Sequence, residues 1–494
     1  MNYKSTRDSR ENPNYVSSAE AIKEGLAPDG GLYIPESFPA ISGDEFASLC
    51  KMNYAERAAF ILGKFLDDYD ADLLASDCRE AYSEERFPGG AAPLHTMDGG
   101  IYSLELWHGP TSAFKDMALQ LMPRLLSRAL KMTGEKRIAH ILVATSGDTG
   151  KAALEGYKDV DGVKITVFYP VDGVSRMQKH QMQTTGGSNT YVAAVRGNFD
   201  DTQNGVKAIF SDKALAERAD ENGFFFGSAN SINWGRLVPQ IVYYVSAYCD
   251  LVNSGDISFG DKINICVPTG NFGNIFAAYI AHEMGLPVNR FICASNSNNV
   301  LTDFINTGVY DRTREFYKTI SPSMDILISS NLERLISVLG GASLTADLMA
   351  QLKEKGVYKA PDELMTKIRA LFSGFSMNEE ETSAVISSVY GRENYLIDPH
   401  TAVGYGCIAK YRAESGDETK TVLASTASPY KFAPAVADAL GMAYDAEDIF
   451  ALLDKLAAET GTTVPAPLAK TLGLEVRFKE VLNKEEMPDL VFRV

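Results

Sequence analysis

The chain is poor in cysteine, with six in 494 residues. They are scattered, and no two form a Cys-x-x-Cys pair: Cys50, Cys78, Cys249, Cys266, Cys293 and Cys407. This usage argues against a zinc site and against a disulfide framework. We therefore expect no metal in the functional site, and we expect the reducing environment of the cytoplasm.

Basic residues are outnumbered, since 47 Lys and Arg stand against 64 Asp and Glu and give a net charge of −17. Such a chain lacks the broad basic surface that binds nucleic acid or anionic lipid. It also has no run of about 18 apolar residues and no apolar signal segment at its start. We expect neither nucleic-acid binding, nor membrane spanning, nor secretion. Any anionic ligand must be bound locally by backbone amides or a few placed cations.

The composition that remains is that of a globular protein, with 45% hydrophobic and 22% charged residues. The length suits about two to four domains. A Pro- and Gly-rich cluster at 87–93 predicts a boundary that closes an N-terminal domain of residues 1–94. We predict a small α/β domain at 135–195, inserted in a large α/β domain of residues 95–134 and 196–494. The large domain includes a helical insert around 341–391.

Four apolar runs have the length of strands and alternate with helical patterns: 101–106, 138–144, 163–169 and 262–268. This alternation predicts βαβ units and a parallel sheet, whose ligands bind at the carboxyl ends of the strands. Near the N-terminus, residues 17–36 predict a capped helix, a turn and a strand. Gly25 is expected to end that helix.

Lys115 lies within the stretch 108–120, His-Gly-Pro-Thr-Ser-Ala-Phe-Lys-Asp-Met-Ala-Leu-Gln. Turn formers and hydroxyl residues open this stretch and apolar residues follow at helical spacing, which predicts a helix with Lys115 in its first turn. A lysine at the positive end of a helix is ordinarily exposed to solvent. The alternative is burial beside Phe114 and Met117, which would lower its pKa and allow its amine to form a Schiff base.

Two glycine-rich loops follow predicted strands, at 145–150 (Thr-Ser-Gly-Asp-Thr-Gly) and 270–274 (Gly-Asn-Phe-Gly-Asn). The backbone N–H groups of such a loop, added to the free amides of a helix start, form a cradle for a phosphate dianion. A strand-to-helix turn that binds nothing has the same composition. Each loop alone is therefore ambiguous.

The lysine and both loops together fit a ligand that carries a carbonyl and a phosphate group. Pyridoxal phosphate is such a ligand, because its aldehyde forms an imine with a lysine and its phosphate needs a cradle. The second loop then remains for a substrate anion. A protein that only bound phosphate esters would need the loops but not an imine-forming lysine.

Five blocks resemble, in the same order, the motif set of the threonine synthase family; they are 108–120, 144–150, 230–236, 268–275 and 425–429. The stretches 17–36 and 321–330 also resemble the longer, fungal- and bacterial-type branch of that family. The resemblance thus covers nearly the whole chain. One departure is Ser428, where the family usually has histidine, and another is Asn274, where related chains often have aspartate.

The resemblance implies an α/β protein of the pyridoxal-phosphate-dependent fold type II, which is tryptophan-synthase-like, with two α/β domains around the cofactor and an N-terminal domain. It implies conversion of O-phospho-L-homoserine and water to L-threonine and phosphate. Lys115 would be the catalytic lysine that binds the cofactor, and Thr426 would face the pyridine nitrogen. The cofactor phosphate would be bound by Gly270, Asn271, Phe272, Gly273 and Asn274. The carboxylate or phosphate of the substrate would contact Ser146, Gly147, Asp148 and Thr149.

Two alternatives remain open from the sequence. A pyridoxal-phosphate-dependent phospholyase that releases a 2-oxo acid would share every early step, and a non-catalytic phosphate-ester binding protein would share the loops. Two histidines, His108 and His400, are more simply explained by packing or helix capping than by catalysis.

Overall fold

The computed structural model of the protein describes residues 1–145, 147–171 and 174–494, without the side chain of Asp200. The N-terminal part consists of short elements: β1 (Tyr3–Ser5), α1 (Ser18–Glu24), β2 (Tyr33–Pro35), α2 (Gly43–Leu49), α3 (Tyr54–Gly63) and α4 (Ala71–Ala81). The predicted helix at the N-terminus is confirmed. Ser17 and Glu20 form a capping box at its start, and Gly25 ends it at φ 72°.

The remaining strands are, in chain order, β3 (Leu94–Met97), β4 (Ile101–Glu105), β5 (Ile138–Ala144), β6 (Val163–Pro170), β7 (Thr190–Val195), β8 (Phe224–Gly227), β9 (Ile263–Pro268), β10 (Val288–Ser295), β11 (Val309–Asp311), β12 (Val357–Lys359), β13 (Phe372–Ser376), β14 (Thr421–Ser425) and β15 (Val481–Leu482). The four strands predicted from apolar runs are confirmed as β4, β5, β6 and β9.

The remaining helices are α5 (Lys115–Leu119), α6 (Met122–Met132), α7 (Asp148–Tyr157), α8 (Arg176–Gln183), α9 (Phe199–Ser211), α10 (Lys213–Glu221), α11 (Trp234–Leu237), α12 (Pro239–Asn253), α13 (Gly273–Glu283), α14 (Val300–Thr307), α15 (Leu332–Gly340), α16 (Ala342–Lys355), α17 (Asp362–Leu371), α18 (Glu379–Glu393), α19 (Pro399–Ser415), α20 (Ala433–Ala439), α21 (Ile449–Thr460), α22 (Ala466–Leu472) and α23 (Met487–Arg493). Short 3-10 turns lie at Asp98–Gly100, Pro322–Met324, Pro429–Phe432 and Lys484–Glu486.

The described residues form two large sheets and two two-stranded sheets, β1-β2 and β11-β12. The large sheet has the strand order β13-β10-β9-β14-β4-β3, in which every pair is parallel except β3 with β4. The second sheet has the order β15-β7-β6-β5-β8 and is parallel throughout. The parallel βαβ architecture predicted from the sequence is confirmed.

Two features of the strands differ from the sequence prediction. The stretch 341–391 is helical as predicted but also contains β12 and β13, and β13 forms one edge of the large sheet. The second sheet takes in β8 and β15, which lie outside 135–195. The domain boundaries themselves stay a prediction.

Three neighbouring strands of the large sheet, β9, β14 and β4, run parallel and end at the same edge. The 270–274 loop follows β9, Thr426 follows β14, and the segment that leads to Lys115 follows β4. The carboxyl edge of a parallel sheet is where ligands bind in α/β proteins. The topology therefore gathers the main predicted site residues at one edge.

Among the described residues, no helix is both long enough and apolar enough to cross a lipid bilayer.

Candidate active site

Lys115 is the first residue of α5, and no side chain caps this helix. The predicted helix with Lys115 in its first turn is therefore confirmed, although the hydroxyl residues before it do not cap it. Thr111 instead donates its N–H and its hydroxyl to the carboxylate of Asp116, at 2.7 and 2.8 Å. Ser112 has a left-handed φ of 56°, and an uncommon conformation of this kind in a non-glycine residue is often found at functional sites. The turn 109–114 is thus folded around Asp116, which places Lys115 at the start of the helix.

The Lys115 side chain is largely buried, with 13% of it exposed. Its Nζ lies 3.9 Å from Oδ2 of Asp148, which is too far for a hydrogen bond but close enough for a charge interaction. Burial lowers the pKa of Lys115 to about 8, because the charged form loses hydration, and the nearby Asp148 opposes this shift only in part. The exposed alternative for Lys115 is therefore wrong. Its amine therefore loses its proton at a lower pH than the amine of an exposed lysine.

Asp148 begins α7 at the end of the 145–150 loop, and three side chains contact its carboxylate. Lys431 Nζ lies 2.7 Å from Oδ1, Gln178 donates to the same oxygen at 2.9 Å, and Ser323 donates to Oδ2 at 3.2 Å. Burial alone would raise the pKa of Asp148, but the ammonium groups of Lys431 and Lys115 hold it well below its usual range. Asp148 is thus a buried carboxylate that joins both lysines.

The 145–150 loop requires a glycine at position 147. Gly147 has φ 148°, and a Cβ there would lie 2.3 Å from Gln178 Cδ. The Thr145 hydroxyl accepts hydrogen bonds from Gly147 N–H and Gly150 N–H, at 2.9 and 3.1 Å. Thr149 is half-buried in the first turn of α7, whereas Ser146 lies outside the described residues. The Thr145 side chain therefore joins the end of β5 to the start of α7.

The 270–274 loop leads from β9 into α13, which begins at Gly273. Phe272 precedes the helix with a left-handed φ of 61°. The loop is attached to the segment 321–331, because Ser329 donates its hydroxyl to Gly270 O at 2.7 Å and Asn331 N–H donates to Asn271 O at 3.0 Å. The first N–H groups of α13 have no acceptor within the helix and are available to an anion.

Asn274 is a buried residue in the first turn of α13. Its Oδ1 accepts hydrogen bonds from the hydroxyls of Tyr243 and Tyr244, at 2.7 and 2.5 Å. Tyr243 also has Gln240 as an acceptor, at 3.1 Å. The side chain of Asn274 thus orients the helix start against α12.

We expect Asn274→Ala to lower the free energy of unfolding by about 1–3 kcal/mol, because it leaves the buried Tyr244 hydroxyl without its acceptor. The measurement is urea unfolding of the cofactor-free chain. The matched control is Asn271→Ala, because the Asn271 side chain is exposed. Its removal should change the free energy of unfolding by about 0.5 kcal/mol or less. Equal stability of the two variants would contradict the structural role given to Asn274.

Thr426 is buried at the end of β14, directly beside the Lys115 segment. Its carbonyl accepts a hydrogen bond from Phe114 N–H at 2.8 Å, and Ala113 and Ala427 form an isolated β-bridge. Ser428, which stands where the related motif usually has histidine, donates its N–H to Ser112 O at 3.1 Å. Its hydroxyl caps the 3-10 turn at Pro429–Phe432. Ser428 therefore has a local structural role in this chain.

The structure brings Lys115, Asp148, Thr426 and the 270–274 loop together. Lys115 contacts Asp148 directly, and Thr426 binds the residue before Lys115. The segment 321–331 links the two glycine-rich loops, through Ser323 to Asp148 and through Ser329 to Gly270. The helix α11 packs against both α5 and α13.

A second buried network was not predicted to be functional. His400 donates from Nδ1 to Asp398 Oδ1 at 2.6 Å, while its Nε2 accepts the N–H of Ser323 at 3.1 Å. Asp398 also caps α19. His400 thus fixes the backbone of the residue that contacts Asp148. His108, by contrast, pairs with Glu105 at 2.7 Å and stacks on Trp107.

The residues present fit pyridoxal phosphate. Lys115 supplies a buried amine of lowered pKa, and the start of α13 supplies free N–H groups for a phosphate. Polar atoms around the site also lack partners: over the described ranges, Ser112 Oγ, Arg236 Nε and Asn274 Nδ2 are buried without a hydrogen bond. Buried polar atoms of this kind require an explanation, and a polar ligand supplies one.

The chain matches known protein families over most of its length. Residues 2–82 match the family profile described as threonine synthase N terminus, residues 90–427 match pyridoxal-phosphate dependent enzyme, and residues 401–490 match threonine synthase, C-terminal. A threonine synthase of Pseudomonas aeruginosa is 39% identical, over 88% of this chain and 90% of that protein. Threonine synthase-like 1 of Macaca fascicularis is 43% identical over 85% of this chain, and the aligned part is 58% of that longer relative.

Solved structures show the same relation. The crystal structure of PLP-bound threonine synthase from Brucella melitensis superimposes with a TM-score of 0.88 at 36% identity, and covers 100% of this chain and 99% of that one. The predicted fold type II is thereby confirmed, as is the predicted cofactor class. The chain belongs to the threonine synthase family of pyridoxal-phosphate-dependent enzymes.

Proposed function

We propose that the protein converts O-phospho-L-homoserine and water to L-threonine and phosphate. The observation that carries this proposal is the buried Lys115 amine, which lies 3.9 Å from Asp148 in the 145–150 loop. The segment that leads to Lys115 also begins at the same sheet edge as the 270–274 loop. The P. aeruginosa and B. melitensis relatives, which match over nearly their full length, are named threonine synthases. The chain spans 58% of the length of threonine synthase-like 1.

Each part of the site has a role in this proposal. Lys115 attaches the cofactor, and Gly270, Asn271, Phe272, Gly273 and Asn274 bind its phosphate through the loop and the start of α13. Thr426 offers a hydroxyl to the pyridine nitrogen. Pyridoxal phosphate, when bound, supplies an electron sink for negative charge at the carbon next to the substrate amine.

The 146–149 loop is proposed to bind an anionic group of the substrate. Gly147, Asp148 and Thr149 lie where β5 passes into α7, and the N–H groups of that helix start are suited to a carboxylate or a phosphate. Ser146 belongs to the same predicted set. Because Asp148 forms a short ion pair with Lys431, at 2.7 Å, its negative charge is compensated and repels the substrate less.

Lys115 is the group that we propose to move protons. The reaction requires loss of protons from Cα and Cβ, departure of phosphate from Cγ, protonation of Cγ, and addition of water at Cβ with return of a proton to Cα. An amine with a pKa of about 8 both accepts and donates protons near neutral pH, as general acid–base catalysis requires. Preorganised N–H groups stabilise the departing phosphate.

We also propose the domain division given above, namely residues 1–94, 135–195, and 95–134 with 196–494. The presence of two separate sheets supports it, although β8 and β15 extend the second sheet beyond 135–195. A cytoplasmic location is a further proposal. All six cysteines are free, which suits a reducing compartment.

Product analysis tests the proposed reaction. The purified protein, supplied with pyridoxal phosphate and O-phospho-L-homoserine, should yield threonine and phosphate in equal amounts. Phosphate together with 2-oxobutyrate and ammonia would identify a phospholyase instead. Binding of the substrate without either product would identify a phosphate-ester binding protein and overturn the proposal.

A further inference from the structure

Lys431 is a fully buried lysine to which the proposed reaction assigns no role. Its side chain is 0% exposed and lies in the 3-10 turn that follows β14 and Thr426. Its Nζ donates to Thr111 O at 2.9 Å and pairs with Asp148 Oδ1 at 2.7 Å. A buried charge is stable only when it is paired and hydrogen-bonded. Here the partners are Thr111, in the turn before Lys115, and Asp148, in the 145–150 loop.

The two oxygens of Asp148 are divided between the two lysines. Oδ1 accepts from Lys431 at 2.7 Å and from Gln178 at 2.9 Å, whereas Oδ2 is 3.9 Å from Lys115 Nζ and accepts from the Ser323 hydroxyl at 3.2 Å. Asp148 therefore makes its short ion pair with Lys431 and only a long contact with Lys115. The carboxylate is held at both oxygens by groups other than Lys115.

We propose that Lys431 is a positioning residue for Lys115. By holding Asp148, it prevents that carboxylate from closing on the Lys115 amine, and so keeps the amine free to lose its proton and to attach the cofactor. This inference rests on the proposed function, because it concerns the reactivity of the lysine that carries the cofactor.

The charges around Lys115 support this arrangement. Four charged side chains act on Lys115. They are Asp148 in α7, Arg236 in α11, Lys431 in the turn after β14, and Asp116 in the same helix as Lys115. Across the part of the chain that the structure describes, Lys431 and Lys115 are the cations within 4.0 Å of Asp148. Without Lys431, Asp148 would retain Lys115 as its cation, and the pair would stabilise the charged form of the Lys115 amine.

The test measures the reactivity of Lys115 directly. The full-length protein is freed of cofactor and mixed with pyridoxal phosphate from about pH 6 to about pH 10, and the growth of the visible absorption band is followed. In the unchanged protein the rate should rise with pH with a midpoint near 8, the pKa of the buried amine. Lys431→Met should move this midpoint upward by about one unit, so that the rate near pH 7 falls about tenfold.

Three further variants separate positioning from mere support of the fold. Lys431→Arg keeps the charge and should keep the midpoint near that of the unchanged protein. Asp148→Asn should lower the midpoint, and Lys431→Met combined with Asp148→Asn should abolish the upward shift. A merely structural lysine would lower the melting temperature without moving the midpoint.

The outcomes are distinct. An unchanged midpoint in Lys431→Met overturns the inference. If that variant does not fold, an unchanged midpoint in Asp148→Asn overturns it instead. If the unchanged protein forms no band at any pH, the proposed function itself fails. A band that forms normally and does not respond to these substitutions overturns only the role of Lys431.

Discussion

Lys115→Ala should lower kcat for threonine formation by a factor on the order of 10³–10⁴, because it removes both the cofactor attachment and the proposed proton carrier. The fold should survive this change. The substitution leaves no charge unpaired, since Asp148 keeps Lys431 as its ion-pair partner at 2.7 Å. The measurement is steady-state formation of threonine and phosphate, with the melting temperature recorded alongside.

The control for Lys115→Ala is Lys131→Ala. Lys131 is an exposed lysine of α6 that pairs with Asp161 on the surface, so its loss should leave kcat unchanged. A Lys115→Ala protein that folds and retains kcat within about tenfold of the unchanged enzyme would contradict the role of Lys115.

Gly156→Ala should lower the free energy of unfolding by about 3 kcal/mol. Gly156 lies in α7 where this helix crosses α5, and a Cβ there would lie 1.9 Å from Leu119 O. Because the obstacle is backbone rather than a flexible side chain, the two helices must separate. They begin at Asp148 and Lys115, so the substitution should also weaken cofactor binding.

The matched control is Gly391→Ala, which is also a helical glycine. A Cβ at position 391 meets nothing within 4 Å in α18. That substitution should stabilise the protein by about 0.5–1 kcal/mol, since alanine favours the helix. Urea unfolding compares the two variants. A Gly156→Ala protein as stable as the control would show that the α5–α7 contact is looser than described.

Much of this architecture can be predicted from local patterns. The strand 138–144 is confirmed to the residue, because a short apolar run between turn signals is typical of a buried parallel strand. The predicted succession of strand and helix is likewise confirmed for β5 with α7 and for β9 with α13. Parallel strands then bring their carboxyl ends together, so the site location follows from connectivity.

Contacts between distant residues could not be predicted in this way. Lys431 pairs with Asp148 across 283 positions of sequence (431 − 148), and Ser323 reaches the same carboxylate. Nothing in the spacing of these residues indicates that they meet. The residue type gave no signal of this pair either, because an aspartate in the first turn of a helix is ordinarily stabilised by the helix N-terminus and needs no cation.

The start of α5 shows a second limit. Thr111 and Ser112 suit a helix cap by residue type, yet Thr111 binds Asp116 and the helix begins only at Lys115. Local preference is overridden here by the need to satisfy a fully buried carboxylate. The same constraint fixes the position of Lys115.

Locating the attachment site of the cofactor is the most direct test of the role of Lys115. The protein is loaded with pyridoxal phosphate, reduced with borohydride and digested, and the modified lysine is located by mass spectrometry. We expect the pyridoxyl group on Lys115, whereas Lys431 and Lys151, the other buried lysines near α5 and α7, should be unmodified. A pyridoxyl group on another lysine, or none after loading, would contradict this role.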